Sequence, residues 1–549
     1  MHMFSIKPGN SKGVRAALAD CVIDVGMCLF LLGMLGLLYA YTFWKAHHGI
    51  GDTDTAFLLD VLQNTWHSGL PITSAVRAFL NVYHFMPMDP DTYCAIDQTQ
   101  FSTVPANILL GHANLIVYPL SALAQWLGAE RVAAISTASA FVALPAISYL
   151  FLRRRNVPAF LCLFFSVIVC LHPAWRIATE GWIYFDRLFM PFALAFAFLM
   201  HEAFTSKEVM GRSRMILVVV IAVIGAMIHE RGALLMLVVA LGHVILYRSA
   251  PRRNVLFVLA VSAALMAYLA VYSVLQHNVD NAEVYKSFFD LPRFLNNVFR
   301  PGLVKLIAFN LPFILLAALF NWRAALIAGI TIFPNVIVSI GGAEKDGWIT
   351  HYHSFYFPFV IYAGAVGLTG LLAARRDQYD AGTQGRWPRS LAAVVILSLI
   401  GAVVSFLNPY GPELSWRTAF IKEGLWRPVN DLYLIDPKFS SYRYETERAD
   451  RLVAAIPAGA SVTFMPPFNV WKLFRNHNSI QIFPVGTGVS EYLLVTFEKK
   501  AGGEIMFDPI GVVGSPEDHL KARQCVTDKV WVAGYKPVME INHYMLLRR

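Results

Sequence analysis

From residue 21 to residue 407 the chain is a succession of apolar runs divided by short polar stretches. Most of the runs are long enough, or nearly so, to cross a bilayer. In lipid such runs can satisfy their backbone N–H and C=O groups only as helices, so this one pattern excludes most folds. With 56% hydrophobic and 15% charged residues over 549 positions, a large soluble enzyme is excluded as well. The first run, 21–44, follows Lys7, Lys12 and Arg15 and ends without a small-residue cleavage site. It reads as a retained span, with the N-terminus cytoplasmic.

The net charge is +9, but Lys and Arg fall mostly in short loops between apolar runs. That is the mark of cytoplasmic loops facing anionic lipid, and no nucleic-acid partner is implied. With those loops inside, the runs 21–44, 132–152, 159–171, 188–204, 215–228, 232–247, 255–275, 303–320, 324–340, 355–374 and 390–407 alternate in direction. They give an α-helical polytopic membrane protein of about eleven spans. Run 107–128 is the exception. If it crossed, Arg153, Arg154 and Arg155 would face outward, so it is expected to lie along or partly within the outer leaflet.

The expected organisation is a membrane domain over 1–407, with a first outer loop at 46–105, and an α/β domain over 408–549 on the outer face. In the second domain a helical pattern at 450–456 precedes a short strand expected within PAGASVTFMPP and further strands in SIQIFP, EYLLVTF and KVWVAGY. The six cysteines lack metal-ligand spacing. Cys94 and Cys525 both fall in segments expected outside, where a disulfide is chemically allowed but not specified by sequence.

In the first outer loop, GDTDTAFLLDVLQNTWHSG carries Asp52, Asp54 and Asp60, with Ala56, Phe57, Leu58, Val61 and Leu62 at helical spacing. It reads as an amphipathic helix against the membrane surface. An acid at its start would cap free N–H groups. Alternatively, Asp52 and Asp54 could act as a general base or hold a divalent cation against phosphate. With the topology above, His84, His112, His172, Glu180, Asp186, His229, Glu230, Arg231, Lys345, Asp346, His351 and His353 collect on the same side. Ionisable groups at membrane depth are costly, which points to a shared polar cavity, although loop residues are polar in any case. HERG stands out because almost no loop separates its two apolar runs. His229, Glu230 and Arg231 would sit at the rim, where a lipid phosphate lies, or Glu230 and Arg231 would simply pair. In GWITHYHSFYFPF an interfacial aromatic belt accounts for Trp348, Tyr352 and Phe355 better than for His351 and His353. Neither histidine pair has zinc-type partners.

The long first loop with early acids, the in-plane helices and the outer tail domain resemble the GT-C superfamily of membrane glycosyltransferases. More narrowly, DTDTAFLLDVLQNTWHSG, the His112 segment before YPLSAL, LHPAW followed by GWIYFDRLFMP, HERGALL, THYHSFYFPF and SVTFMPPFNVWKLF with IQIFP and EYLLVTF resemble, in order, the landmarks of the family called domain of unknown function 2079. The resemblance implies an inverting enzyme of the cytoplasmic (inner) membrane. Sugar would move from a polyprenyl-phosphate carrier to an extracytoplasmic glycan, lipid or protein. It implies Asp54 as base or metal ligand, with Asp52 or Asp60 next and a divalent cation such as Mg or Mn as the cofactor. It also implies Glu230, with His351 and Tyr352, as substrate-binding residues. At GWIYFDR this chain has Tyr184 and Asp186 near a site where the family pattern carries His and Glu.

A transporter or lipid flippase would instead show polar groups in mid-span and inverted repeats, and here the spans are nearly free of charge. A non-catalytic envelope assembly protein would depend on the tail and tolerate loss of the first-loop acids.

Overall fold

The computed structural model describes residues 11–48, 53–73, 90–95, 106–107, 109, 114–172, 174–175, 179, 183–276, 301–337, 352–380, 450–464, 470–476, 478–500, 502–508 and 515–549. In chain order, the first half holds α1 (Ser11–His48), α2 (Thr53–Ser68), β1 (Ile72–Thr73), α3 (Pro90–Ala95), β2 (Ala106–Asn107), α4 (Val117–Leu127), α5 (Ala129–Arg154) and α6 (Ala159–Leu171). A 3-10 turn at Phe185–Leu188 leads into α7 (Phe189–Thr205), then α8 (Arg212–Ile228), α9 (Glu230–Leu246), α10 (Arg252–Gln276), α11 (Pro301–Phe320) and α12 (Trp322–Ile337). A second 3-10 turn, Tyr352–Ser354, precedes α13 (Phe357–Asp380). The tail holds β3 (Ser461–Phe464), α14 (Val470–Arg475), β4 (Ser479–Ile482), β5 (Tyr492–Lys499), β6 (Ile505–Phe507), α15 (Pro516–Val532), β7 (Lys536–Ile541) and β8 (Tyr544–Arg548).

Every expected span from 21–44 to 355–374 coincides with a helix; the last, 390–407, lies outside the described residues. Among the described residues, five helices are long and apolar enough to cross a membrane, within α1, α5, the turn with α7, α10 and α13. Helix α6 and the described parts of α11 and α12 are shorter apolar helices. The eleven residues of α4 reach roughly 17 Å at 1.5 Å per residue, about half of a bilayer core. That length suits the in-plane position expected for run 107–128.

The chain divides into two compact units: Met1–Thr42, Leu110–Ile116 and Ala134–Leu432 in one, and Phe43–Leu109, Val117–Ala133 and Tyr433–Arg549 in the other. The first is a helix bundle. Its α11 and α13 pack closely because Gly367 removes a side chain where there is no room for one: a Cβ there would lie 2.7 Å from the backbone N of Ala317. Small residues at such contacts let helix backbones approach in lipid, where no hydrophobic drive brings them together. Where α1 crosses α5, Arg153 Nη2 meets Asp24 at 2.9 Å and Arg153 Nη1 meets Asp20 at 3.2 Å, while Tyr149 donates to Asp24 at 2.6 Å. Half of the described side chains of α1 are exposed. In the bundle core, the Tyr362 hydroxyl lies 3.0 Å from His243 Nε2 and 3.4 Å from His201 Nδ1, tying α7, α9 and α13 together through groups that are all buried.

The second unit contains a six-stranded sheet in the order β4-β3-β5-β8-β7, with β6 beside β5. β4, β3 and β5 run parallel, and β8 is antiparallel to both β5 and β7. The strand expected within PAGASVTFMPP is present as Ser461–Phe464, those in SIQIFP and EYLLVTF are present as well, and residues 450–454 are helical. KVWVAGY is not a strand. Val526 and Val530, four apart, are buried on one face of α15, and the chain leaves that helix at Gly534 with φ +83°, a conformation in which glycine has no Cβ penalty. Of the two valines in the segment, Val530 is buried on that helix face and Val532 is exposed, and the strand begins just after the segment, at Lys536. Helix α2 is also more enclosed than a surface helix. Leu58, Leu59, Val61 and Leu62 are buried together with Thr55, Asp60 and Thr65, and α4 and α14 both pack against it.

Candidate functional site

Five of the sequence landmarks meet in the helix bundle. The junction between α8 and α9 is HERG, where His229 is extended (φ −165°) and caps α9, so Glu230 enters the first helical turn. His229 Nδ1 lies 3.1 Å from both the Arg231 N–H and Glu230 Oε2. One ring nitrogen cannot accept from the first and donate to the second at once, so the position of its proton decides which contact is a hydrogen bond. Glu230 is buried, at 6% exposure. The segment after His112 reaches the same place, because the Ile116 N–H donates to the Met227 carbonyl at 2.9 Å, two residues before His229.

HSFYF is the hub. The Phe355 ring meets His229 edge to face at 5.0 Å, and the Arg231 guanidinium lies 6.0 Å over the same ring. Phe189, which opens α7 after FDRL, is 5.8 Å from Phe355. Two residues on, Phe357 stacks on His172 of LHPAW at 4.5 Å. LHPAW and FDRL in turn share Phe141 of α5, which has the Trp175 ring 6.0 Å away and the Arg187 guanidinium 5.4 Å over it. Tyr184 flanks Arg187 at 5.6 Å.

Pro145 explains one of these contacts. It has no N–H to offer the carbonyl four residues back, so within α5 the Phe141 carbonyl lacks its helical donor. The Trp175 indole N–H supplies the bond, at 2.8 Å.

Among the described residues, this end of the bundle therefore buries two carboxylates (Asp186, Glu230), one guanidinium (Arg187, 1% exposed) and three imidazoles (His172, His229, His353). Burying that many ionisable groups is tolerated in membrane proteins chiefly where they pair or serve function.

In the other unit, Asp54 stands in the first turn of α2, and Asp60, six residues on, is buried and accepts from Asn64 Nδ2 at 2.8 Å. Asp52, His112, Lys345 and His351 lie outside the described residues, as do the side chains of Asp54 and Tyr352. Among the described residues, no group of three or more His, Cys, Asp or Glu is placed to hold a metal ion. Of the residues expected from sequence, His229, Glu230 and Arg231 share one place with the HSFYF segment.

No family model matches the chain, so the narrower resemblance to domain of unknown function 2079 gains no support, and no curated protein matches either. Among solved structures, the crystal structure of ArnT from Cupriavidus metallidurans bound to undecaprenyl phosphate is similar at TM-score 0.50 and 12% identity, covering 95% of this chain and 98% of that one. The apo structure of the same protein gives a TM-score of 0.48 at the same identity and coverage. ArnT is a GT-C glycosyltransferase. The chain has the GT-C fold.

Within a GT-C fold the bundle-end cluster holds two contributors that composition and motif spacing did not single out. Arg187 read as one more basic residue of an outer turn, and Trp175 as part of an apolar landmark. The available signals were the adjacency of Asp186 and Arg187 in FDR and a proline inside an otherwise regular span.

Proposed function

We propose that this protein is a membrane glycosyltransferase that moves a sugar, with inversion, from a polyprenyl-phosphate carrier to an acceptor outside the cytoplasmic membrane. The observation that carries the proposal is the meeting of HERG with HSFYF and LHPAW at one end of a bundle with the GT-C fold. The ArnT neighbour was solved with undecaprenyl phosphate bound, which supports a carrier of the same chemistry here. Arg231, with Lys345, would neutralise the carrier phosphate. His112, His229, Glu230, His351 and Tyr352 would line the donor site. Asp54, with Asp52 or Asp60 as the next choices, would take the proton from the acceptor hydroxyl as its oxygen attacks C1. The C1–O bond to phosphate breaks, and the carrier phosphate leaves with the electron pair. Asp52 and Asp54 are also the residues that would hold Mg or Mn if the reaction uses one; the ion would offset phosphate charge.

The disulfide between Cys94 and Cys525, with Cα atoms 5.8 Å apart, supports the outward placement of both the first loop and the tail, because such bonds persist in oxidising compartments. The test is transfer from a polyprenyl-phosphate sugar in proteoliposomes. Asp54→Asn should abolish it with expression unchanged, and full activity of that variant would overturn the assignment of Asp54.

A further inference from the structure

Glu130, in the first turn of α5, is a meeting point of three elements in the second unit. Its Oε1 accepts from the Trp471 indole N–H at 2.7 Å and from Arg475 Nη1 at 3.2 Å, both on α14, while Oε2 lies 3.1 Å from His47 Nδ1 at the end of α1. Helix α14 has only six residues, too few to persist without tertiary support. Its Trp471, Leu473 and Phe474 are buried, and it packs along α2. On its other side α2 is held by α4, where the Ser121 hydroxyl donates to the Leu62 carbonyl at 2.8 Å. The first loop is tied to the sheet domain a second time further on. Cys94 of α3 is bonded to Cys525 of α15, and one turn away Lys521 pairs with Asp91 at 2.6 Å.

We propose that the sheet domain is a positioning device for α2: Glu130 and Trp471 lock α14 against that helix, and the Cys94–Cys525 bond fixes the other arm of the same loop. The inference rests on the reading above for its catalytic meaning, since α2 carries Asp54 and Asp60. A base misplaced by about an ångström loses rate far out of proportion to the displacement. Trp471 and Glu130 are thus positioning residues. An acceptor-binding role alone predicts variants with altered KM for acceptor, whereas a positioning role predicts lower kcat at nearly constant KM for both substrates.

Hydrogen exchange of the full-length protein in nanodiscs tests this without a known substrate. In Trp471→Phe and Glu130→Ala, exchange of the α2 amides should accelerate roughly tenfold or more while β5 and β8 keep their protection. Glu130→Gln keeps an acceptor oxygen for Trp471 and should stay close to wild type. Replacing Cys94 and Cys525 together by Ser should accelerate α2 and α3 and carries the test if Glu130→Ala does not accumulate. Unchanged α2 exchange would overturn the proposal, as would acceleration shared equally by β5 and β8, which would mean the contacts only hold the domain together. If the wild-type protein shows no sugar transfer, the functional reading fails while the exchange result still decides the positioning claim. If transfer is found, Trp471→Phe should lower kcat roughly in step with the loss of α2 protection.

Discussion

Trp175 donates its indole N–H to the carbonyl of Phe141, a group that Pro145 leaves without a helical donor. Because both partners are buried in the bundle, removing the donor strands a carbonyl that water cannot reach. Trp175→Phe should cost about 1–3 kcal/mol. Pro145→Ala restores a backbone donor, so the same change made in that background should cost less. Thermal unfolding of the four proteins of this cycle measures the difference; equal costs in both backgrounds would show that the indole acts by packing alone.

Glu230 is buried beside His229 at the start of α9. Glu230→Gln preserves size while removing the charge. If the carboxylate works on the substrate, transfer should fall about 10²-fold or more with the melting temperature nearly unchanged. A large drop in melting temperature with a matching drop in activity would mark Glu230 as structural. Initial rates and unfolding curves on the same preparations separate the two outcomes.

At Gly367 the backbones of α11 and α13 leave no room for a side chain. Gly367→Leu should therefore lose several times more stability than Gly33→Leu in α1, where a Cβ meets nothing within 4 Å. Overpacking at such a contact costs typically about 1–3 kcal/mol. Paired melting curves in detergent would read the contrast.

Ser515 and Asp518 form a reciprocal cap at the start of α15. The Ser515 backbone N–H and hydroxyl hold the Asp518 carboxyl below its ordinary value. A depressed folded-state value means that this cap is fully in place above the ordinary carboxylate range and is lost as pH falls through the lowered value. Protection factors of the first-turn amides of α15, taken against the intrinsic rate at each pH, should fall over that acid window in the wild-type protein. In Asp518→Asn the protection factors should be lower at neutral pH and should not change across the window.

The helices of the first unit were legible because a bilayer demands long apolar helical runs. The strands Ser461–Phe464, Ser479–Ile482 and Tyr492–Lys499 were legible from short β-branched and aromatic runs between turn residues. KVWVAGY misled for the same reason: its valines satisfy a strand pattern locally, and the capping pair Ser515 and Asp518 that starts the helix lies a dozen residues upstream. Glu130 was not singled out from the sequence, since its partners Trp471 and Arg475 are more than three hundred positions away. Cys94 and Cys525 could be placed on the same side but not paired, because separation along the chain carries no distance in the fold. Of the site, the coming together of HERG and HSFYF followed from their positions at helix ends. The aromatic contacts that join them, through Phe189, Phe355 and Phe357, followed from no local pattern.

The most direct measurement is a structure of the protein in nanodiscs with undecaprenyl phosphate. The account predicts the phosphate within hydrogen-bonding reach of Arg231, beside the Phe355 ring and Glu230. Carrier bound elsewhere on the bundle, with its phosphate out of reach of Arg231, would contradict it.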